Sequence, residues 1–230
     1  MSGLGTEQLQ QFEAWNTLGQ AANAAGDFQE GLTYFNDMAQ LAIDYDDPRK
    51  RLDAINPAAK SLWSLGEYNE ATECLETAEA IGFELGLVDE AAMARSNMAR
   101  VMASYVIKSG EVPLDDQAFA LRDLAVPDFI KAYKQLEDHP HLYFRYANAR
   151  HGAVVAALAD AGYTARRFVA EGLRVAPQES PDYDQGRTYA IKQPGKIKPG
   201  LIQLAAALVI SPLGSRTPVL ADLARRRLVQ

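Results

Sequence analysis

The triplets Gly26-Asp27-Phe28 and Gly66-Glu67-Tyr68 stand 40 residues apart and share one pattern: a glycine, a carboxylate, an aromatic ring. Glycine readily takes up the left-handed backbone that closes a helix, and a carboxylate is stabilised at the start of the next one. Each triplet is therefore a tight turn between two helices. Its recurrence at a fixed period constrains the chain to an array of helix pairs.

The hydrophobic pattern on either side agrees. Phe12, Trp15, Gly19 and Ala22 recur at helical spacing before the first turn, and Phe28, Gly31/Leu32, Phe35 and Ala39 after it. The second unit repeats this with Ile55, Ala59 and Leu62, then Tyr68, Ala71, Leu75 and Ala78. These are apolar stripes with small residues where two helices touch, and nothing alternates as a strand does. Asp27 is placed to cap the second helix, with Glu30 three residues on as its reciprocal partner. A third unit shows Ala99, Met102, Ala103 and Val106 ahead of Gly110, then Phe129, Ala132 and Leu136 after an insertion of 17 residues. Inside the insertion, Pro113-Leu114-Asp115-Asp116 reads as a turn and helix start. Gln117 to Ala125 reads as a short helix that stops before Pro127. A fourth unit, from about Leu142 to Pro177, turns at Ala161-Gly162-Tyr163.

This pattern resembles the tetratricopeptide (TPR) repeat. Trp15, Leu18, Gly19, Phe28, Gly31 and Phe35 match the family's positions in unit one, and Ala59, Tyr68, Ala71, Leu75 and Ala78 in unit two. Ala165, Val169, Gly172 and Pro177 fit its second helix and terminal proline. The family's repeat is about 34 residues long, so a period of 40 requires longer helices or longer joins. Met38 stands where the family usually has a small residue. The resemblance implies an all-α, right-handed solenoid of about four antiparallel helix pairs over residues 1–178. The units are expected at about 12–46, 52–86, 89–139 and 142–177, with the insertion at 111–127. The likeness is good over 12–83, weaker over 96–177 and absent after about 180.

No single pair buries its own apolar face, so stacked neighbours hold the array and its end needs a cap. After a Pro- and Gly-rich linker at 179–199, Pro199 opens an apolar run from Leu201 to Ile210, expected as a capping helix. That run is well short of the roughly 20 apolar residues that span a bilayer. A last helix, Val219 to Leu228, carries Arg225-Arg226-Arg227 near its end. The net charge of −7 is uneven: residues from 190 onward carry +6 and the rest −13. An acidic body excludes nucleic acid as the main ligand, since phosphate contacts need a basic surface. The lone Cys74 rules out an internal disulfide, and Met1 to Glu7 shows no signal-peptide pattern, so the expected compartment is the cytoplasm.

The sequence contains no Gly-x-Ser-x-Gly, phosphate loop or Cys-x-x-Cys, and no catalytic residue, metal ligand or cofactor is assigned. Cys74 lies among acidic neighbours and reads as a small core residue rather than a nucleophile. His139, His141 and His151 lack a cysteine or carboxylate at ligand spacing. The informative residues lie on the first helices, away from the core stripe. In the resembling family the first helices line a concave groove. Carried over by position, that surface holds Glu13, Asn16, Gln20 and Asn23 in unit one. It holds Asp53, Asn56, Lys60 and Trp63 in unit two, and Asn97, Arg100, Ser104 and Lys108 in unit three. Tyr143, Tyr146 and Arg150 are candidates to continue it. Of these, the partner-binding set is Asn16, Gln20, Asn23, Asn56, Lys60, Trp63, Asn97 and Arg100. An Asn amide both donates to and accepts from a ligand backbone. Lys60 and Arg100 suit a carboxylate. Trp63 either offers its ring to a bound segment or packs on the next helix. The resulting expectation is a non-enzymatic scaffold or adaptor that holds a protein or extended peptide. The alternatives are a peptide-sensing regulatory domain, and a peripheral membrane assembly factor that uses the basic apolar tail.

Overall fold

The structure, a computed structural model, describes residues 3–137 and 142–175. The linker at 179–199, the helices expected over 200–230, Pro177, and His139 and His141 lie outside the described residues. Among the described residues all regular structure is helical, in the order α1 (Thr6–Ala25), α2 (Phe28–Asp44), α3 (Pro48–Leu65), α4 (Tyr68–Glu84), α5 (Val88–Lys108), α6 (Gln117–Leu124), α7 (Val126–Leu136), α8 (Leu142–Leu158) and α9 (Gly162–Val175). The chain forms two compact units that meet after Val101, within α5.

In the first unit α1 packs on α2, α2 on α3 and α3 on α4, with a lighter contact between α1 and α3. The 40-residue period comes from helix length. The helices run 20, 17, 18 and 17 residues and are joined by turns of only two or three. At about 1.5 Å per residue each is roughly 26–30 Å long.

The turns themselves repeat. Gly26 and Gly66 both sit at φ 88°, and Asp46 (φ 51°) occupies the position that Gly86 (φ 70°) holds one repeat later. In each, the residue after the left-handed one donates its N–H five residues back, as from Asp27 to the Ala22 carbonyl at 2.9 Å and from Glu67 to Leu62 at 3.0 Å. This pairing satisfies carbonyls that a helix end leaves open. The start of α2 differs from the expected reciprocal cap. The Asp27 carboxylate accepts from the Glu30 N–H at 3.1 Å, but Glu30 accepts instead from the Tyr34 hydroxyl at 3.2 Å. The short turn already places the Asp27 N–H on Ala22, so that donor has no need of Glu30. Helix α3 begins at Pro48, ahead of the expected Leu52. Asp47 caps it by accepting from the Lys50 N–H at 2.9 Å, and proline suits the first helical position.

Phe12, Leu32, Phe35, Met38, Ala54 and Ala58 form the core between α1, α2 and α3. Met38, at a position expected to be small, is fully buried there. Phe35 lies where a Cβ on Gly19 would come within 2.7 Å of its ring, so only glycine admits this ring against α1. Gly31 is buried against Asn23, and Ala71 is buried without exposure. Replacing Ala71 by leucine is expected to overpack this contact and cost about 1–3 kcal/mol. An unchanged melting curve for Ala71→Leu would contradict the packing.

In the second unit α6 packs on α7 and α8, α7 on α8, and α8 on α9. The second helix expected after Gly110 appears as α7, and the insertion supplies α6. Pro127 lies in the first turn of α7, where a missing N–H costs little. Helix α8 touches neighbours on several sides, so every residue from His151 to Ala159 is buried. Its turn into α9 is centred on Asp160 (φ 55°), just before the expected Ala161-Gly162-Tyr163, and α9 already begins at Gly162. Phe168 of α9 packs where a Cβ on Gly152 would come within 2.9 Å of the ring. Gly19 and Phe35 are also 16 residues apart, so the two pairs use one device.

Candidate functional site on the first helices

Helices α1, α3 and α5 carry the residues chosen from the sequence. The short turns hold successive first helices side by side, and ionic contacts cross between them. Lys50 Nζ stands 3.3 Å from Glu13 Oε1 on α1 and 3.5 Å from Asp53 Oδ2 on its own helix. Arg49 Nε is 3.4 Å from Asp53 Oδ1, and Arg49 Nη1 is 2.8 Å from Glu90 Oε1 on α5. Glu13, Lys50, Asp53, Arg49 and Glu90 thus make a continuous chain of opposite charges. Each of these pairs is partly exposed and weak alone, but together they fix the spacing of the helices. Lys50 and Glu90 are equivalent positions one period apart with opposite charge, a signal present in the sequence. Deeper between α4 and α5, the buried Glu79 carboxylate accepts from Arg95 Nε at 2.7 Å and pairs with its Nη2.

Further along α3 and α5 lies the most specific cluster. The Arg100 guanidinium stacks over the Trp63 ring at 4.8 Å from its centroid, and Arg100 Nη1 donates to Asn97 Oδ1 at 3.1 Å. Three of the chosen residues are thus brought together, all half-buried. Trp63 meets the next first helix through a cation, which combines the two readings of it. Lys60, one turn before Trp63, is exposed. Asn56 is half-buried and its Nδ2 donates to the Leu52 carbonyl at 3.4 Å. Pro57 follows it inside α3 and lacks an N–H, so the Asp53 carbonyl loses its usual donor four residues on. Asn16 is half-buried and Gln20 exposed on α1.

Asn23 is drawn into the helix contacts. Its Oδ1 accepts from Ser61 Oγ at 3.0 Å, and it packs on Gly31. Its Nδ2 is buried without a hydrogen-bond partner among the described residues. The glycine opposite made this approach possible, and a helical-wheel reading places Asn23 on the polar side because it counts only its own helix. Ser104 is buried in the second unit, whereas Lys108 is exposed. On α8, Arg150 lies 6.0 Å from the Tyr146 ring centroid, another cation over an aromatic on a first helix, as Lys50 is over the Phe12 ring at 4.9 Å.

Burial, followed by Glu73 and Glu70, pushes the Cys74 thiol above its ordinary pKa. That is the reverse of what a nucleophile needs. Among the described residues no group of three His, Cys, Asp or Glu side chains is placed to hold a metal ion. Nor is any described helix long and apolar enough to cross a membrane. No family model matches the sequence, and no curated protein matches it.

Proposed function

We propose that the chain is a non-enzymatic scaffold of the tetratricopeptide type, which holds an extended protein segment against α1, α3 and α5. The stacked Arg100–Trp63 pair with Asn97 supports this reading most directly. The pair sets a large apolar ring beside a fork of donors, and Trp and Arg are enriched in binding hot spots. Asn56 and Lys60 on α3 and Asn16 and Gln20 on α1 offer amide and ammonium groups to a peptide backbone and its carboxylates. The ion chain from Glu13 to Glu90 keeps these helices at a fixed spacing, so little ordering is left for the moment of binding. The cytoplasm is the proposed setting.

The test compares proteins retained from native extract by the wild-type chain and by the Trp63→Ala, Arg100→Ala double variant. A protein retained by the former and reduced about tenfold or more by the double change, with helicity intact, is the expected result. Identical retention by both would reject the first-helix surface.

A further inference from the structure

We propose that the cleft between α7 and α9 is a separate binding site for a small organic monoanion with a flat apolar body, such as an aromatic carboxylate. The site does not depend on the first-helix surface.

The cleft encloses about 120 Å³ and opens to solvent. One side is a single face of α7, where Ile130, Tyr133, Lys134 and Glu137 follow at helical spacing, and the other is Thr164, Arg167 and Phe168 of α9. The apolar wall is rigid. Tyr133 and Phe168 meet edge to face with centroids 5.9 Å apart, and Phe168 is backed by Phe129 at 6.4 Å. Gly152 beneath Phe168 leaves no room for the ring to retreat.

The charge at the mouth decides the ligand class. Arg167 stacks on the Tyr133 ring at 5.6 Å, which fixes its guanidinium at the cleft. Elsewhere in this unit Arg145 and Arg174 are committed to Glu171, and Lys131 to Asp128. Arg167 and Lys134 have no carboxylate within ion-pair distance among the described residues, and both line the same cleft. In a chain of net charge −7 this leaves a local excess of positive charge beside an apolar wall. Glu137, at the end of α7, offsets one of the two cations, which suits a monoanion over a dianion. The ligand's head takes the fork of Arg167 and the Lys134 ammonium, with the Thr164 hydroxyl as a further donor. Its body lies against Ile130 and the ring edges. Arg167 already covers the face of Tyr133, so the body packs on edges rather than stacking there.

The experiment titrates the full chain with 2-naphthoate and with uncharged 2-naphthamide, by calorimetry and by methyl NMR. Naphthoate is expected to bind saturably, at least about tenfold tighter than the amide, and to shift the Ile130 and Thr164 methyl signals. Arg167→Gln with Lys134→Gln should remove that preference while leaving helicity unchanged. Both side chains are exposed, so the fold is not at risk. Equal affinity for the two probes, no saturable binding by millimolar naphthoate, or an unaltered preference in the double variant would overturn the proposal.

Discussion

Phe35→Ala is expected to destabilise the first unit by about 3–5 kcal/mol, the usual range for truncating a buried phenylalanine. The ring has no exposed surface and joins Phe12, Leu32 and Met38 with Ala54 and Ala58 of α3. Its removal therefore opens a void touching three helices. The residues around it are poor at closing such a void: Gly19 has no side chain to move in, and Ala54 and Ala58 have only a methyl. A Gly19→Leu change added to Phe35→Ala returns volume from the other side and should recover part of the loss. Chemical denaturation followed by circular dichroism reads both. A loss under about 1 kcal/mol for Phe35→Ala would show that this ring does not anchor the stack.

Glu171→Ala is expected to cost a similar amount, about 3–5 kcal/mol, for a different reason. The Glu171 side chain is 5% exposed and Arg145 of α8 only 10%. Arg145 donates to Glu171 Oε1 from Nε at 3.0 Å and Nη2 at 2.7 Å, while Arg174 Nε donates to Oε2 at 2.9 Å. Removing the carboxylate leaves a guanidinium buried without its anion and loosens α9 from α8. Arg174→Ala removes only an exposed partner and should cost less than about 1 kcal/mol. A Glu171→Ala protein as stable as wild type, or an Arg174→Ala protein as damaged as Glu171→Ala, would contradict this account of α9.

The two glycine turns were legible because each depends on neighbours in the chain: a left-handed residue, a helix start and the flanking stripes. The all-helical class and the small contacts at Gly31 and Ala71 followed from them. What depends on a distant partner was not legible. The inward turn of Asn23 requires Ser61 from 38 residues away. Helix α3 starts at Asp47-Pro48, ahead of its apolar stripe, which begins at Leu52, so the stripe alone places the start too late. Phe168 over Gly152 repeats Phe35 over Gly19, yet the residues surrounding the two pairs share no common pattern. For the candidate surface, the sequence suggested Trp63, Asn97 and Arg100 as members of one face, but not that Arg100 stacks on the ring. It missed Arg49 and Lys50, whose partners Glu13 and Glu90 lie on other helices. The α7/α9 cleft needs two helices to converge, and no local pattern announces it.

Photo-crosslinking from the first-helix surface tests the binding role most directly. A benzophenone side chain placed at Lys60, exposed one turn from Trp63, is compared with one at Glu73, exposed on α4. In native extract, the proposed role predicts a discrete protein adduct from position 60 that is lost when Arg100 is changed to alanine, and none from position 73. Adducts from 73 but not 60, or adducts from 60 that persist without Arg100, would contradict it.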